Sequence, residues 1–505
     1  MSRSHPEAGR VHLALALLVS ASLVLRILLA LAGGQGFWPD EARFHRTASF
    51  VCDAVQQGFS WSGFGTVLFD RSFTHWGFKL LATPIQLLQV VVFRAFGSSQ
   101  ACGDILAREA WFASICIQLV SVSLIPLCYG IARRFDASRR EALLAALVVA
   151  CTHSLLYWSR HLVPYDLSMA TALLALWLGA RSKRPSVLAL CGLLLTFAVL
   201  TYLGYWLLSA TVAVLLMVST SVVQRERSGG MARSAVSRGL ALAVGGLSLL
   251  VFIGIGKPDF LEHLLGFSHR QTQGDLSEGW RLPVEYLWHT EHLLLLVWIA
   301  CVALAAWSVA RRRRRAARCG LWLGALLAIY LGLMLGSTVF ERFGVYGRLA
   351  RQLAPFAALL TASVVSELLR RLRRPWRLPI EGALCALLLL QAGFHFGRAH
   401  SVRFDAEIRA ELTREFGKVQ PIRTVGGPHA RPPRVAGARY VLVNSGFIWP
   451  ALSVFPPPEG RVIRRFRGPY DFAPYLYENF DPFERQNIRA EGWVRLIDRA
   501  QALQR

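Results

Sequence analysis

Apolar residues run along this chain in long charge-poor blocks, longer than any soluble core requires. A bilayer core about 30 Å thick takes roughly 20 apolar residues as a helix. Blocks of this kind lie near 11–31, 109–131, 142–158, 166–180, 185–201, 204–222, 237–255, 290–310, 319–337, 352–368 and 378–395. The pattern therefore predicts about eleven membrane-spanning helices. One further block, LATPIQLLQVVVFRAFG at 80–96, is nearly as apolar and holds Pro84 and Arg94.

The polar residues between alternate blocks are basic. They are Arg133, Arg134, Arg139 and Arg140, then Arg181, Lys183 and Arg184, then Arg225, Arg227, Arg233 and Arg238. Arg311 to Arg315 with Arg318 follow, and finally Arg370, Arg371, Arg373, Arg374 and Arg377. Short loops rich in Lys and Arg stay cytoplasmic, and Arg3 and Arg10 place the N-terminus on that side. If 80–96 crossed, every later Arg-rich loop would move outside. That segment is expected to lie along the outer surface, or to dip in and return, as an interfacial helix does.

The outer face then carries a first loop over 32–108, others over 256–289 and 338–351, and a tail from 396. The fold class read from this is a polytopic α-helical membrane protein in the plasma (inner) membrane. Residues 1–395 form its transmembrane domain, with interfacial helices in the first loop. Residues 396–505 form a small extracytoplasmic α/β domain, in which ARYVLVNS (Ala438 to Ser445) alternates as a strand and Pro456 to Pro458 make a turn.

Composition sharpens this picture. Of 505 residues, 54% are apolar and 17% charged, with a mean hydropathy of +0.40. A net charge of +25 would suit nucleic-acid binding in a soluble chain, but here it is spent on topology, and no nucleic acid is expected. Ala30-Leu31-Ala32 has the form of a signal-peptide cleavage site, yet the run before it is long for that and carries Arg26, which favours a retained helix. The nine cysteines show no CxxC spacing, and seven lie in or beside predicted spans, where Cys serves as a small apolar residue. Cys52 and Cys102 fall on the oxidising side, where a disulfide between them is one option.

Candidate chemistry gathers on the outer face. Asp40 and Glu41 follow the first span in FWPDEARFH; Pro followed by two acids is also an ordinary helix start. Asp166 lies in YWSRHLVPYD beside Arg160 and His161, where a solvated Asp before a helix is the plain alternative. Cations complete the set: His75 and Lys79 in FTHWGFKLL, and Arg342, Arg348 and Arg351 in FERFGVYGRLARQLAP. Each alone reads as a side chain snorkelling to the headgroups. Together they suggest a phosphate site flanked by carboxylates. A sugar carried on a lipid phosphate has a stable anion as leaving group, so its transfer needs one carboxylate base and fixed cations at the phosphate. Asp40, Glu41 and Asp166 are also the ligand type that Mg2+ or Mn2+ takes, so a divalent cation stays open beside a metal-free site.

These motifs resemble the GT-C superfamily of membrane glycosyltransferases, in the branch of protein O-mannosyltransferases and the lipid A aminoarabinose transferase. The resemblance covers roughly 11–370 and rests on WPDEARF, HWGFKLL, AREAWFASICIQLVSVSLIPLCYGIARRF, YWSRHLVPYD and GRLARQLAPFAALL in that order. It implies a polyprenyl-phosphate-linked sugar donor, transfer at the extracytoplasmic surface, and a lipid, glycan or protein acceptor. It implies Asp40 with Glu41 as the catalytic acid pair, Asp166 as the second acid and Lys79 as the donor-phosphate lysine; His75, Arg160, Arg348 and Arg351 are the further phosphate-binding candidates read from the residues. Two departures stand out: Trp76-Gly77-Phe78 replaces a Pro pair in the first loop, and Arg160 and Asp166 are one residue further apart than the pattern has them.

A secondary transporter or lipid flippase is the main alternative. Transporters keep ionisable residues near the bilayer midplane, whereas here they collect at outer helix ends. A non-catalytic scaffold would have no need of carboxylates at both acid sites.

Overall fold

Each of the eleven apolar blocks is helical in the computed structural model. The structure describes residues 5–35, 41, 43–69, 75–224, 228–270, 280–311, 317–340, 345, 347–400, 403, 405–423, 425–426, 432, 434–435, 437–444, 453–466 and 494–500. The helices are His5–Leu31, Ala110–Arg134, Arg139–Cys151, Tyr165–Gly179, Pro185–Thr201, Trp206–Gln224, Ser228–Gly256, Leu293–Ala310, Ala317–Met334, Ala354–Arg371 and Arg374–His400.

Among the described residues, eight helices are long and apolar enough to cross a membrane, or nine if Arg139–Cys151 and His153–Arg160 form one span bent by 62°. The chain is a multi-pass membrane protein. The count of eleven is not reached on this measure, because Tyr165–Gly179, Pro185–Thr201 and Leu203–Ser219 fall short of the length that roughly 20 residues provide. Tyr165–Gly179 is buried along most of its surface, the place for a helix apolar on every side. Pro185–Thr201 and Ser228–Gly256 approach so closely that a Cβ at Gly192 would sit 1.9 Å from the Leu242 carbonyl oxygen, the close contact small residues permit between membrane helices.

Hydrogen bonds between helix ends show which ends share a side. Arg181 Nε donates to the Arg134 carbonyl at 2.6 Å, and Arg318 reaches the Phe135 carbonyl at 3.3 Å and Glu141 at 2.8 Å. Buried Arg238 donates to the carbonyls of Leu216 and Ser182, both at 2.6 Å, and of Gly179 at 3.0 Å. From within the helix Ser228–Gly256, Arg238 thus holds the C-terminus of Tyr165–Gly179 and the connection after it, and is not only the loop charge that the sequence pattern made it. At the opposite end, Ser114 Oγ donates to the Ser159 carbonyl at 3.2 Å and Ser168 Oγ to the Ala198 carbonyl at 2.7 Å. One end of the bundle is Arg-rich; the other gathers the candidate chemistry.

The helix Trp76–Ala95 lies outside the eleven blocks and is one of the eight that pass the length test. Its first turn meets the last turn of Pro185–Thr201: Trp76 packs on Phe197 at 6.3 Å between ring centroids, and a Cβ at Gly77 would lie 2.1 Å from Thr201 Oγ1. Further along, Gln89 Nε2 donates to the carbonyls of Ile105 at 2.9 Å and Glu109 at 3.0 Å, just before Ala110–Arg134 begins. Thr201 and Ala110 lie at the same end of the bundle. The helix therefore touches that end of the bundle at both of its own ends. Cys52 and Cys102 are disulfide-bonded beside a small core of Phe50, Val51, Val90, Ile105 and Leu106.

The tail forms a four-stranded sheet of order β1-β3-β6-β5, from β1 (Val419–Arg423), β3 (Tyr440–Asn444), β5 (Arg461–Phe466) and β6 (Val494–Asp498). A separate pair joins β2 (Val425–Gly426) and β4 (Ser453–Val454). β1 and β3 are parallel, the other pairings antiparallel. Leu442 faces the helix Asp405–Phe416 through Ile408 and Leu412, while Val441 and Val443 face a second cluster. The predicted strand is therefore central and buried on both faces.

Candidate functional site

His75 sits at the start of Trp76–Ala95, where that helix meets the bundle, and it is buried. Arg43 Nη1 lies 2.5 Å from His75 Nε2. Guanidinium cannot accept a hydrogen bond, so Arg43 is the donor and the imidazole proton belongs on Nδ1. Burial, then the charges of Arg43, Arg46, Lys79 and Arg348, hold His75 well below the usual histidine range. Every charge that shifts it is positive, so the imidazole is neutral within a field that favours an anion.

Arg348 enters this field from the short helix Gly347–Ala350, with its Nε donating to the Tyr202 hydroxyl at 2.7 Å. Tyr205 Oη donates to the Arg348 carbonyl at 3.1 Å, and the Tyr202 ring lies 6.2 Å from that of His75. Lys79 is one helical turn beyond His75, and its ammonium donates to the Val67 carbonyl at 2.9 Å. The structure thus brings together His75, Lys79 and Arg348, and adds Arg43 and Arg46, which the sequence reading passed over. The available signal was their spacing: three apart just after the acid pair, they share one side of the turn.

The other expected residues are placed differently. Asp166 and Arg351 are paired with each other at 2.5 Å, both buried, and Arg351 Nε also donates to the Ser154 carbonyl at 2.8 Å. Arg160 donates to the carbonyls of Gly33 at 2.8 Å and Ala32 at 2.9 Å, closing the C-terminus of the first helix, and pairs with Glu407. Glu41 is buried, accepting from the Leu162 N–H at 2.8 Å, with His161 Nδ1 at 3.3 Å from its other oxygen. It ties the first loop to segment 161–162. Asp40 and Arg342 lie outside the described residues.

Among the described residues, no three His, Cys, Asp or Glu side chains are placed to hold one metal ion. Two of the three carboxylates expected to bind a divalent cation, Glu41 and Asp166, already accept from backbone, imidazole or guanidinium, and do not fit that role as arranged.

A row of histidines borders the site. His292 and His395 rings lie 4.7 Å apart, His395 and His153 5.5 Å, and His153 and His400 5.9 Å. Both ring nitrogens of His153, His395 and His400 are buried without a hydrogen-bond partner among the described residues. Next to this row, Glu291 accepts from the backbone N–H groups of His153 at 3.0 Å and Ser154 at 2.7 Å.

No protein-family model matches the chain, and no curated protein does. Solved structures do. ArnT from Cupriavidus metallidurans bound to undecaprenyl phosphate aligns over 73% of this chain and 62% of its own, at 15% identity and a TM-score of 0.47. The apo state of that protein aligns over the same shares at 16% identity and a TM-score of 0.45. The Archaeoglobus fulgidus oligosaccharyltransferase, tethered to an acceptor peptide, aligns over 76% and 55% at 14% identity and a TM-score of 0.41. The chain spans less than two thirds of the length of each.

Proposed function

We propose that this protein is a GT-C-type glycosyltransferase that moves a sugar from a polyprenyl-phosphate-linked donor to a lipid, glycan or protein acceptor. The reaction takes place at the extracytoplasmic face of the plasma (inner) membrane, with the N-terminus cytoplasmic and residues 396–505 forming an extracytoplasmic domain. One observation carries this reading: Arg43, Arg46, Lys79 and Arg348 converge on a neutral, buried His75 at the end of the bundle opposite the Arg-rich loops.

The donor phosphate binds against Arg43, Lys79 and Arg348. Asp40 takes the proton of the acceptor hydroxyl, whose oxygen attacks the anomeric carbon. The bond from that carbon to the phosphate oxygen breaks, and its electron pair leaves with the polyprenyl phosphate. The leaving phosphate gains one negative charge, which the guanidiniums and ammonium stabilise more strongly than they did the donor. Glu41, the chain neighbour of Asp40, is held by Leu162 and His161. The Asp166–Arg351 pair is structural support, and no step is routed through a metal.

The test compares Asp40→Asn with the wild type using a defined polyprenyl-phosphate sugar and mass spectrometry of the product. General-base catalysis contributes about 10²–10⁴-fold, so turnover should fall by that order while donor binding survives. Transfer at near wild-type rate by a correctly inserted variant would remove Asp40 as the base.

A further inference from the structure

The helix Pro185–Thr201 stops at Tyr202, which takes an extended conformation at φ −149° before the chain turns helical again from Trp206. Tyr202 is buried, and its ring packs on those of Tyr165 at 4.7 Å and Tyr205 at 5.0 Å between centroids. Gly204 makes the fit possible: a Cβ there would lie 2.7 Å both from Tyr202 Cε1 and from Leu349 Cδ2. Leu349 belongs to the short helix that carries Arg348, so the missing side chain lets this break and that helix meet.

Main-chain bonds hold the two together. Gln352 Nε2 donates to the Gly204 carbonyl at 3.1 Å, and its Oε1 accepts from the Leu208 N–H at 3.0 Å. Tyr205 Oη donates to the Arg348 carbonyl at 3.1 Å. None of these bonds uses the Tyr202 hydroxyl, which accepts from Arg348 Nε at 2.7 Å. A Phe at 202 would fill the same space without burying a polar group. The hydroxyl therefore serves the guanidinium and not the backbone of the mount. The Arg348 guanidinium carbon also lies over the Tyr165 ring, 5.8 Å from its centroid, within cation–π range. A guanidinium is planar, so a bond at Nε and a ring against its carbon fix the direction of the two terminal nitrogens as well.

We propose that Tyr202 is a positioning residue, whose hydroxyl sets the Arg348 guanidinium toward the lipid-linked phosphate. This rests on the phosphate reading of the cation set, and gives that set a residue that acts through Arg348 and not on the substrate. The Tyr202 ring also neighbours that of His75, 6.2 Å away, so the same side chain reaches the first-loop half of the site.

Equilibrium binding of a labelled polyprenyl phosphate to the purified full chain in detergent tests this through a double-mutant cycle. Tyr202→Phe keeps the ring and should leave the thermal midpoint in place, since Gln352 and Tyr205 still hold the mount. It should weaken binding about three- to tenfold, the scale of one hydrogen bond. In an Arg348→Gln background the same substitution should change binding by no more than about twofold, because residues that act through one another are not additive. A purely structural role would persist in that background, so equal losses from Tyr202→Phe with and without Arg348 would overturn the proposal. So would unchanged binding by Tyr202→Phe while Arg348→Gln alone binds weakly, an outcome that leaves the phosphate reading standing. If neither substitution weakens binding, the phosphate reading of Arg348 fails first and the role of Tyr202 with it.

Discussion

His75 could hold its charge only against four neighbouring cations and a buried site, so it serves as a neutral acceptor for Arg43 and leaves the positive field to the guanidiniums. If that field binds the donor phosphate, Arg43→Gln and Arg348→Gln should each weaken donor binding about ten- to a hundredfold, since a charge-assisted contact contributes roughly 1.5–3 kcal/mol. Binding of a labelled polyprenyl-phosphate sugar to the purified variants measures this; unchanged affinity in both would return these arginines to a structural role. At this scale the sequence was half legible. Lys79, His75 and Arg348 stood out because cations at outer helix ends are few. The pairing of Asp166 with Arg351 did not, because a contact across 185 positions leaves no local pattern.

Two helix breaks bring the row of imidazoles together. His153 follows the 62° bend after Cys151, and His292 takes a left-handed φ of 39° between Leu282–Glu291 and Leu293–Ala310. Burial, then Arg160 and His161, push His400 from the usual 6.5 down to about 3, and burial also lowers His292. The unfolded chain takes up these protons below about 6.5 while the folded chain refuses them, so the histidines make stability decline as pH falls from 6.5 toward 3. Glu291 works the other way: burial lifts it from 4.5 to about 7, so the folded chain keeps a proton that the unfolded chain loses, and stability declines as pH rises from 4.5 toward 7. Glu291 offsets the slope of one histidine between 4.5 and 6.5, and below 4.5 the histidine slope acts alone. Thermal unfolding in detergent should therefore fall gently as pH drops from 6.5 to 4.5 and more steeply below 4.5. Glu291→Gln should steepen the fall above pH 4.5; the same profile in that variant would dismiss the Glu291 contribution. None of this was legible in sequence, where the predicted span at 290–310 ran straight through the break at His292.

The two ends of the bundle have different chemistry. Arginine guanidiniums cap helix C-termini at one end, and at the other lie Tyr202, Tyr205, the cation set and, through Arg160 and Glu407, the start of the tail. Reporters fused after residues 183 and 372 should report the cytoplasmic side, and those after 60, 98 and 460 the opposite side. If 60 and 98 fell on different sides, the helix Trp76–Ala95 would cross and the whole assignment would reverse beyond it. This scale was the most legible one, because lipid forces every backbone group into helices and Arg-rich loops mark one side. The three short helices were the exception: they are apolar enough to read as spans but fall short of the length of one.

The Cys52–Cys102 bond gives that arrangement a memory. Trp76–Ala95 is apolar enough to insert, and hydropathy alone would let it invert. The bond links the helix Ala48–Gln57, which lies along it, to the helix that follows its far end. A spanning helix would carry its two flanks to opposite sides of the bilayer, about 30 Å apart. With the flanks chained together, that inversion is forbidden for as long as the bond survives, and thiols stay oxidised only outside the reducing compartment. The disulfide is thus a one-way latch: the side of the membrane on which it can close is the side on which it holds the loop.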